Sequence, residues 1–436
     1  MKGKNVPKHR LSRMAHMGGL AGRIAGNILL DGGRQWLAGQ KPQISDLILT
    51  RKNIEQVAER LSTLRGAAMK LGQLISMDTG SVLPEELSLI LNKLRSEAQT
   101  MPTTQLIKVL ERSWGEEWMD RFSTFSYKPV AAASIGQVHR AVAKDGREMA
   151  LKVQYPGVRK SIDSDLANVA TLLRMTGLVP KDLDLNPLLD EAKLQLQKEA
   201  DYLKEGEALE WFNWKLSEFE RASEVRVPDY YLDHSNQDVL AMSFEEGEPL
   251  EHLVNHPDCD RVVSLMFELF FFELMKIHAV QTDPNLANYH YQPHTGQLIL
   301  LDFGALREYN PEFAKQYFSA IKAAVDQDET TLEQALKTLG FFHKGLDVAN
   351  RAVILSLFQL AVEPLRTEGS YDFGASDLAE RIREKGMQIS RQPEAWHTPP
   401  VDVLFLHRKL AGLYLMARKL KAQVDVRSIY LTYLER

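Results

Sequence analysis

The chain has 436 residues, of which 44% are hydrophobic and 25% charged, and its formal net charge is -5. This composition predicts a soluble globular protein large enough for two or three domains, or for one bilobal domain with extensions. The charge is modest and no basic stripe with interleaved aromatic residues occurs, so nucleic acid is not expected as a partner. The single cysteine, Cys259, excludes an internal disulfide and a cysteine metal cluster and favours a reducing compartment.

Residues 1–50 are predicted to form a basic N-terminal arm. No acidic residue precedes Asp31, whereas six cations do: Lys2, Lys4, Lys8, Arg10, Arg13 and Arg23. Such an arm can lie on an anionic membrane surface, where each cation contributes about 1 kcal/mol. A frayed, solvated tail explains the same pattern equally well, so membrane contact is an expectation with an open alternative.

Residues 51–125 are predicted to be a helical extension. Apolar residues recur at helical spacing from Asn53 to Met77, and a second helix is expected from Pro84 to Arg95. Lys70 and Gln73 are three positions apart and share one face of the first helix. Composition alone would leave both as solvated polar residues.

Residues 126–245 have the pattern of a kinase N-terminal lobe. The order is strand, small-residue loop, strand, turn and strand, and Lys152 lies on the last strand, where kinases bind the α and β phosphates. The loop is predicted to contact the nucleotide through Ala131, Ala132, Ala133 and Ser134. Because alanine restricts the close approach and positive φ that glycine allows, we expect nucleotide binding with an altered pose.

A second long helix is predicted from residue 187 to residue 212, and it carries Glu199, Asp201 and Glu205. A kinase needs one helix glutamate to pair with the strand lysine. Asp201 and Glu205 share a face, whereas Glu199 lies about 120° from Glu205 on a regular helix. The three therefore converge only through a distortion or a neighbouring element. An acidic helix face is otherwise usually just solvated.

Residues 238–244 predict a strand that runs into a polar segment. The equivalent strand end in a kinase is the hinge, whose backbone groups bind adenine, so Met242, Ser243 and Phe244 are the hinge candidates. An ordinary edge strand is the alternative.

The predicted C-terminal lobe, residues 246–436, contains the candidate phosphate chemistry. Asp283 and Asn288 are five positions apart, and a predicted hairpin joins them to Asp302, which opens an Asp-Phe-Gly triplet. In a kinase-like lobe the first Asp orients or deprotonates the acceptor, while the Asn and the second Asp bind Mg²⁺. The chain enters a helix by about Pro311 without an activation segment, so the peptide-docking platform of protein kinases is not expected.

Most of the remaining C-terminal lobe is predicted to be helical. The longest apolar run, from Val262 to Val280, is interrupted by charged residues, so it indicates a buried helix and not a membrane span. Residues 311–436 are expected to be nearly all helical, with interruptions at residues 369–374 and 397–400.

These motifs resemble the UbiB-type atypical kinases of coenzyme Q biosynthesis, above all the branch of the mitochondrial coenzyme Q kinases and their bacterial relatives. The resemblance runs from Gly18 to Leu410 and is carried by Lys70-Leu71-Gly72-Gln73, Ala131 to Gln137, Glu199-Ala200-Asp201-Tyr202, Gln281-Thr282-Asp283-Pro284-Asn285 and Leu301-Asp302-Phe303-Gly304. It implies an α+β, bilobal protein-kinase-like fold whose N-terminal helical extension covers the active site.

The resemblance also implies pairings between these motifs. Lys70 would meet Glu199 and Asp201, and Glu205 would pair with Lys152. Glu199, Asp201 and Glu205 are therefore predicted, with Lys152, to be nucleotide-binding residues. One departure is Gly206, which follows Glu205 where the family usually has alanine and which costs its helix about 1 kcal/mol.

The function implied by the resemblance is ATP hydrolysis, or phosphorylation of a small-molecule or lipid acceptor, and not protein phosphorylation in trans. The expected cofactors are ATP or ADP and Mg²⁺. The implied roles are metal binding by Asn288 and Asp302, phosphate binding by Lys152, handling of the acceptor or attacking water by Asp283, and restricted access through Lys70 and Gln73. The expected partners are an anionic membrane surface, lipid quinone intermediates and quinone-biosynthesis enzymes. The expected location is cytoplasmic, peripheral on the inner membrane of a bacterium or on the matrix side of a mitochondrion.

Two other functions stay open from the sequence. The first is a nucleotide-gated, lipid-binding scaffold or chaperone for quinone-synthesis enzymes. The second is a soluble small-molecule phosphotransferase of the aminoglycoside or choline kinase type, which shares the Asp-x4-Asn hairpin but lacks the Lys-x-Gly-Gln motif.

Overall fold

The structure, a computed structural model, describes residues 64–78, 100–176, 185–342, 348–390 and 400–434, together with Leu61 and Ile90. The basic arm, most of the predicted helix from Pro84 to Arg95 and the side chain of Gln73 lie outside these residues. The described chain divides into two compact units. The first contains the residues up to Ser76, those from 100 to Gly206, and Tyr230–Phe244; the second contains Glu207–Asp229 and the residues from Glu245 onward.

In the described part of the chain, most strands precede Pro311 and helices dominate the residues that follow it. The helices are α1 (Arg65–Asp78), α2 (Thr103–Trp114), α3 (Val158–Thr176), α4 (Asn186–Glu199), α5 (Tyr202–Leu216), α6 (Cys259–Met275), α7 (Pro311–Val325), α8 (Glu329–Thr338), α9 (Val348–Ala361), α10 (Glu363–Arg366), α11 (Leu378–Ser390), α12 (Val401–Leu420) and α13 (Val426–Leu434). The strands are β1 (Phe122–Phe125), β2 (Ala131–Ala132), β3 (Gly136–Ala143), β4 (Glu148–Gln154), β5 (Val225–Arg226), β6 (Val239–Ser243), β7 (Glu248–Pro249), β8 (Ala279–Gln281), β9 (Tyr289–Gln292), β10 (Gln297–Leu300), β11 (Leu306–Glu308), β12 (Tyr371–Asp372) and β13 (Gln423–Val424).

The first unit is built on a five-stranded antiparallel sheet in the order β1-β3-β4-β6, with β2 pairing with β3. Burial alternates along β3, whereas it is nearly continuous along β4, so that both faces of β4 are covered. Helix α2 buries Leu106, Val109 and Leu110 against this core. The predicted order of strand, loop, strand, turn and strand is confirmed, but the first strand, β1, precedes residue 126, and the small-residue loop itself contains the short strand β2.

The prediction of one long helix over residues 187–212 is wrong, because the helix breaks at Ala200 and Asp201. The break separates α4, which ends at Glu199, from α5, which begins at Tyr202. The angle between Glu199 and Glu205 on a regular helix therefore has no meaning here. The distortion that the sequence left open is this break, and it lets the acidic residues point in different directions.

The second unit is organised around α6, most of whose side chains are buried. Phe267 packs on Tyr414 of α12, with ring centroids 5.9 Å apart, and Phe271 packs on Tyr430 of α13, with centroids 6.2 Å apart. Burial on nearly all sides explains why its sequence is apolar around most of its circumference. The apolar run from Val262 to Val280 is thus a buried helix followed by β8, as predicted.

The predicted hairpin before the Asp-Phe-Gly triplet is present in the second unit. Strands β9 and β10 pair antiparallel within a four-stranded sheet of order β5-β10-β9-β7. After the triplet, β11 pairs with β8 and the chain enters α7 at Pro311, as expected. The described residues beyond 311 are mostly helical, and the expected interruption at 369–374 contains β12, which pairs with β13. Across the described ranges, no helix combines the length and the apolarity that crossing a bilayer requires.

Packing explains the glycine that departs from the family pattern. A Cβ atom on Gly206 would lie 2.2 Å from the ring of Tyr230, which itself bridges to Met242 of β6. Only glycine lets the tyrosine ring lie directly on α5, one residue after Glu205. The loss of helix propensity is therefore the consequence of a close contact within the first unit.

We expect Gly206→Ala to lower the free energy of unfolding by about 1–3 kcal/mol, because the new methyl group overpacks the contact with Tyr230. Gly386 of α11 is the control, since a Cβ there would meet no atom within 4 Å. Gly386→Ala should raise the stability by about 0.5–1 kcal/mol through helix propensity. Chemical denaturation of the two variants checks both signs, and a stabilising Gly206→Ala would contradict the packing argument.

Candidate active site

In the first unit, Lys152 and Glu205 form a buried ion pair. Lys152 lies opposite Val138 on one side and Leu240 on the other, so the sheet fixes its backbone on both edges. Its Nζ donates to Oε1 of Glu205 at 2.7 Å, and the two side chains are 9% and 3% exposed. The ammonium also lies 5.4 Å from the ring centroid of Tyr202. The pair implied by the resemblance is present and restrains the lysine ammonium.

A second ion pair in the same unit joins helix α1 to the alanine-rich loop. Lys70 is only 5% exposed, and its ammonium contacts a carboxylate oxygen of Glu199. The other oxygen of Glu199 accepts a 2.9 Å hydrogen bond from the hydroxyl of Ser134. The backbone of Gln73 lies on α1 three residues after Lys70. Lys70 is therefore a buried, paired residue and not the solvated one that composition alone suggested.

Asp201 has different neighbours from Glu199. Its carboxylate lies 4.0 Å from the guanidinium of Arg159 and 3.4 Å from the backbone N–H of Lys204. Because Asp201 sits in the break between α4 and α5, the structure pairs Lys70 with Glu199 and directs Asp201 toward Arg159. A nucleotide-binding role for Asp201 stays a prediction.

The alanine-rich loop makes its own backbone hydrogen bonds. Ala131 and Ala132 pair with β3, and the N–H of Ala133 donates to the carbonyl oxygen of Gly136 at 2.9 Å. An N–H that is used inside a turn is not free to bind phosphate. The N–H of Ala133 is thus engaged within the turn, and contact of this loop with a nucleotide in an altered pose stays a prediction.

The hinge candidates lie at the end of β6. Met242 and Ser243 are buried and pair with β4, and the N–H of Phe244 donates to the carbonyl oxygen of Glu148 at 3.1 Å. The guanidinium of Arg140 lies 4.4 Å from the ring centroid of Phe244. An adenine contact from Phe244 would therefore use its carbonyl group and not its N–H.

In the second unit, Asp283 and Asn288 are in direct contact. The side-chain Nδ2 of Asn288 donates to the carbonyl oxygen and to a carboxylate oxygen of Asp283, each at 3.2 Å. These bonds close the short loop after β8. Since Nδ2 is engaged, the amide oxygen of Asn288 is the atom able to bind a metal.

The Asp-Phe-Gly triplet is fixed within the same unit by its neighbours on both sides. Oδ1 of Asp302 accepts a 3.0 Å hydrogen bond from the N–H of Gly304. Phe303 is 2% exposed, and its ring lies 4.9 Å from that of Phe212 on α5. The buried aromatic ring anchors the carboxylate of Asp302 beside it.

Helix α12 supports the Asp283 loop, and sequence reasoning gave it no role. The guanidinium of Arg408 contacts a carboxylate oxygen of Asp283. A Cβ on Gly412 would lie 2.2 Å from Pro284, so α12 packs directly on the loop. Burial lowers the pKa of His407 to about 4, which suits its place in an aromatic core. A signal was present, because cationic residues stand inside an otherwise apolar helix.

The donors at Asn288 and Asp302 fit Mg²⁺. Both residues line one small cavity, and an amide oxygen with a carboxylate forms the kind of oxygen ligand set that Mg²⁺ accepts when phosphates and waters complete its shell. In the described part of the chain, no group of three or more His, Cys, Asp or Glu side chains could hold a metal ion. A bound Mg²⁺ would stabilise charge on a transferring phosphoryl group.

The fold and these side chains define a protein-kinase-like protein of the α+β class. Residues 93–336 match the family described as the ABC1 atypical kinase-like domain, and the chain belongs to this family. The resemblance to UbiB-type kinases is thereby confirmed.

Named relatives extend over almost the whole chain. The rat protein named "Atypical kinase COQ8B, mitochondrial" is 35% identical over 98% of this chain and 81% of its own length. The protein of Saccharomyces cerevisiae named "Atypical kinase COQ8, mitochondrial" is 33% identical over 99% of this chain and 86% of its own length. A solved structure of Rv3197 from Mycobacterium tuberculosis in complex with erythromycin has 25% identity and a TM-score of 0.60, and covers 87% of this chain and 94% of that one.

The buried pair of Lys152 and Glu205 predicts an asymmetry between single and double variants. Lys152→Met leaves the Glu205 carboxylate buried without that cation, so we expect a loss of about 3–5 kcal/mol in the free energy of unfolding. Adding Glu205→Gln should recover much of this loss, because the buried charge is removed.

The matched control is Lys193→Met. Lys193 pairs with Asp163 at 3.0 Å, but both side chains are exposed, at 42% and 69%. Exposed pairs contribute little, so the stability should stay nearly unchanged. Urea denaturation at neutral pH compares the four proteins, and equal losses from Lys152→Met and Lys193→Met would contradict the burial argument.

Proposed function

We propose that the chain is a Mg²⁺-dependent ATPase, or a kinase for a small-molecule or lipid acceptor, that supports ubiquinone biosynthesis. The observation that carries this proposal is the buried ion pair of Lys152 and Glu205, because kinases use such a pair to hold the nucleotide phosphates. In this proposal Lys152 binds the α and β phosphates, and Asn288 and Asp302 bind the metal. Membership of an atypical kinase family supports the assignment.

The acceptor in this proposal is not a protein. Strand β11 begins two residues after Gly304 and pairs with β8, and α7 follows at Pro311. This short connection leaves no room for the activation segment on which protein kinases dock peptides. Water, or a small or lipid-borne hydroxyl group, is therefore the acceptor class that we favour.

The proposed place of action is a membrane surface where quinone intermediates are found. The rat and yeast relatives are named mitochondrial, and the basic first 30 residues of this chain would favour anionic lipid. A lipid-borne acceptor and quinone-biosynthesis enzymes are the partners that we propose.

The central test is magnesium-dependent release of phosphate from ATP, measured with and without anionic liposomes. Asp302→Asn should lower the turnover by roughly 100-fold or more, since metal stabilisation of the phosphoryl group is worth several kcal/mol. Asp326→Asn is the matched control, because Asp326 pairs with Lys322 at the end of α7 and has no role in the site. Turnover that is unaffected by Asp302→Asn would refute catalysis at this site.

A second candidate function is a nucleotide-gated scaffold for quinone-synthesis enzymes. The observation in its favour is the contact of Arg408 with Asp283, because a carboxylate bound to a guanidinium is less available to accept a proton from an acceptor. In this alternative ATP is a conformational ligand, and slow hydrolysis is incidental.

Asp283→Asn separates the two functions, because the amide keeps the shape of the side chain and loses its charge. If the chain is a catalyst, the variant should lose turnover by roughly 100-fold while keeping its affinity for the nucleotide. In that case the Asp283→Asn variant should also fail to restore ubiquinone synthesis in cells that lack the native protein. Full restoration of ubiquinone synthesis by the inactive variant would favour the scaffold.

A further inference from the structure

Two opposite charges are buried inside the second unit, on side chains that have been given no role in the chemistry. Glu273 of α6 is 2% exposed and Lys409 of α12 is 3% exposed. The Lys409 ammonium lies 3.7 Å from Oε2 of Glu273 and donates a 3.0 Å hydrogen bond to the hydroxyl of Tyr289. The three side chains thus join two helices to the first residue of β9.

The surroundings of Lys409 favour the charged form of its ammonium group. Desolvation lowers the pKa of Lys409, but the negative charge of Glu273 and the hydrogen bond to Tyr289 outweigh it and leave the pKa above its ordinary value. Burial raises the pKa of Glu273. Desolvating two ionic groups is costly, and well-packed apolar residues often stabilise a core at least as well. Stability alone therefore does not account for this trio of side chains.

Two members of the trio, Glu273 and Tyr289, bind the same residue, Gln281. Oε2 of Glu273 accepts from the backbone N–H of Gln281 at 3.2 Å, and the hydroxyl of Tyr289 donates to Oε1 of Gln281 at 3.4 Å. The Nε2 of Gln281 then donates to the carbonyl oxygens of both Asp283, at 3.2 Å, and Asp302, at 3.4 Å. One buried amide therefore links the main chains of the two candidate catalytic carboxylates.

The same side chains lie against the candidate metal ligands. Glu273, Gln281, Tyr289 and Lys409 line the small cavity that Asn288 and Asp302 also line. Its volume, about 10 Å³, is at the lower limit for one water molecule, and Gln281 is hydrogen-bonded to the carbonyl groups of both Asp283 and Asp302. A change in the orientation of Gln281 would therefore be transmitted to Asp283 and Asp302.

We propose that Lys409, Glu273 and Tyr289 are positioning residues that orient Gln281 and thereby fix the distance between the backbones of Asp283 and Asp302. This inference rests on the proposed function, since it concerns the affinity of Asp302 and Asn288 for the metal of the nucleotide. It differs from the role of Arg408, which touches the carboxylate of Asp283 directly. The trio acts through Gln281 and its hydrogen bonds to the main chain.

The test measures Mn²⁺ binding by electron paramagnetic resonance in the presence of a non-hydrolysable ATP analogue. Tyr289→Phe removes one hydroxyl group, and the double variant Lys409→Met/Glu273→Gln removes both charges at nearly constant volume. Each should weaken Mn²⁺ binding by about 10-fold, as expected for groups that orient metal ligands. Affinity for the metal-free nucleotide and the unfolding temperature should change little.

Tyr291→Phe is the matched control. Tyr291 lies two residues further along β9, is buried to the same extent as Tyr289, and donates its hydroxyl to Asp258 outside the trio. The same loss of one hydroxyl there should leave Mn²⁺ binding unchanged.

The outcomes separate this inference from the proposed function. Failure of the native protein to bind Mn²⁺ with the nucleotide would overturn the proposed function. Native binding that Tyr289→Phe and the double variant leave intact would overturn the positioning role alone. Equal weakening of metal-free and Mn²⁺-bound nucleotide binding, or an equal effect of Tyr291→Phe, would also overturn it, because either result indicates general loosening.

Discussion

A charge that is taken out of water must be compensated within the protein, and this constraint acts on the candidate functional residues of each unit. Lys70 pairs with Glu199 and Lys152 pairs with Glu205 in the first unit. Each of these lysines is nearly inaccessible to solvent. Removing either partner would leave an uncompensated buried charge, which is costly by several kcal/mol. The ion pairs therefore restrict where the surrounding elements can lie.

The break between α4 and α5 allows both pairs to exist. A continuous helix would turn Glu199 and Glu205 by a fixed angle, whereas the break at Ala200 and Asp201 gives each helix its own direction. Glu199 can then meet α1, while Glu205 meets the sheet. Gly206 completes this arrangement, because it admits the ring of Tyr230 beside the second helix. The break and Gly206 each weaken a helix, and together they allow Glu199 and Glu205 to reach their lysine partners.

In the second unit the same constraint applies to the cations of helix α12, which lie next to the candidate catalytic residues. Helix α12 brings Arg408 to the carboxylate of Asp283 and Lys409 to the buried trio. Hydrogen bonds through Gln281 connect this support to Asp302. A loop held from several directions keeps its geometry without rearrangement, and preorganised groups are what phosphoryl transfer requires. The helical C-terminal segment is therefore part of the candidate site and not only an extension of the fold.

The sequence by itself determined the elements whose signals are local. Alternation and turn residues predicted the strands around Lys152 and the hairpin before Asp302, and motif spacing predicted the kinase-like class, because these patterns depend on neighbours a few residues apart. Only the tertiary structure decided which distant residues meet. It placed the helix break between Glu199 and Tyr202. It also paired Arg408 with Asp283 and Lys409 with Glu273, and the second pair joins positions 136 residues apart. Both Glu273 and Lys409 interrupt apolar helices, which signals buried charge, but helical periodicity cannot identify a partner on another helix. That choice is made by packing, which brings charged side chains of different helices together inside the protein.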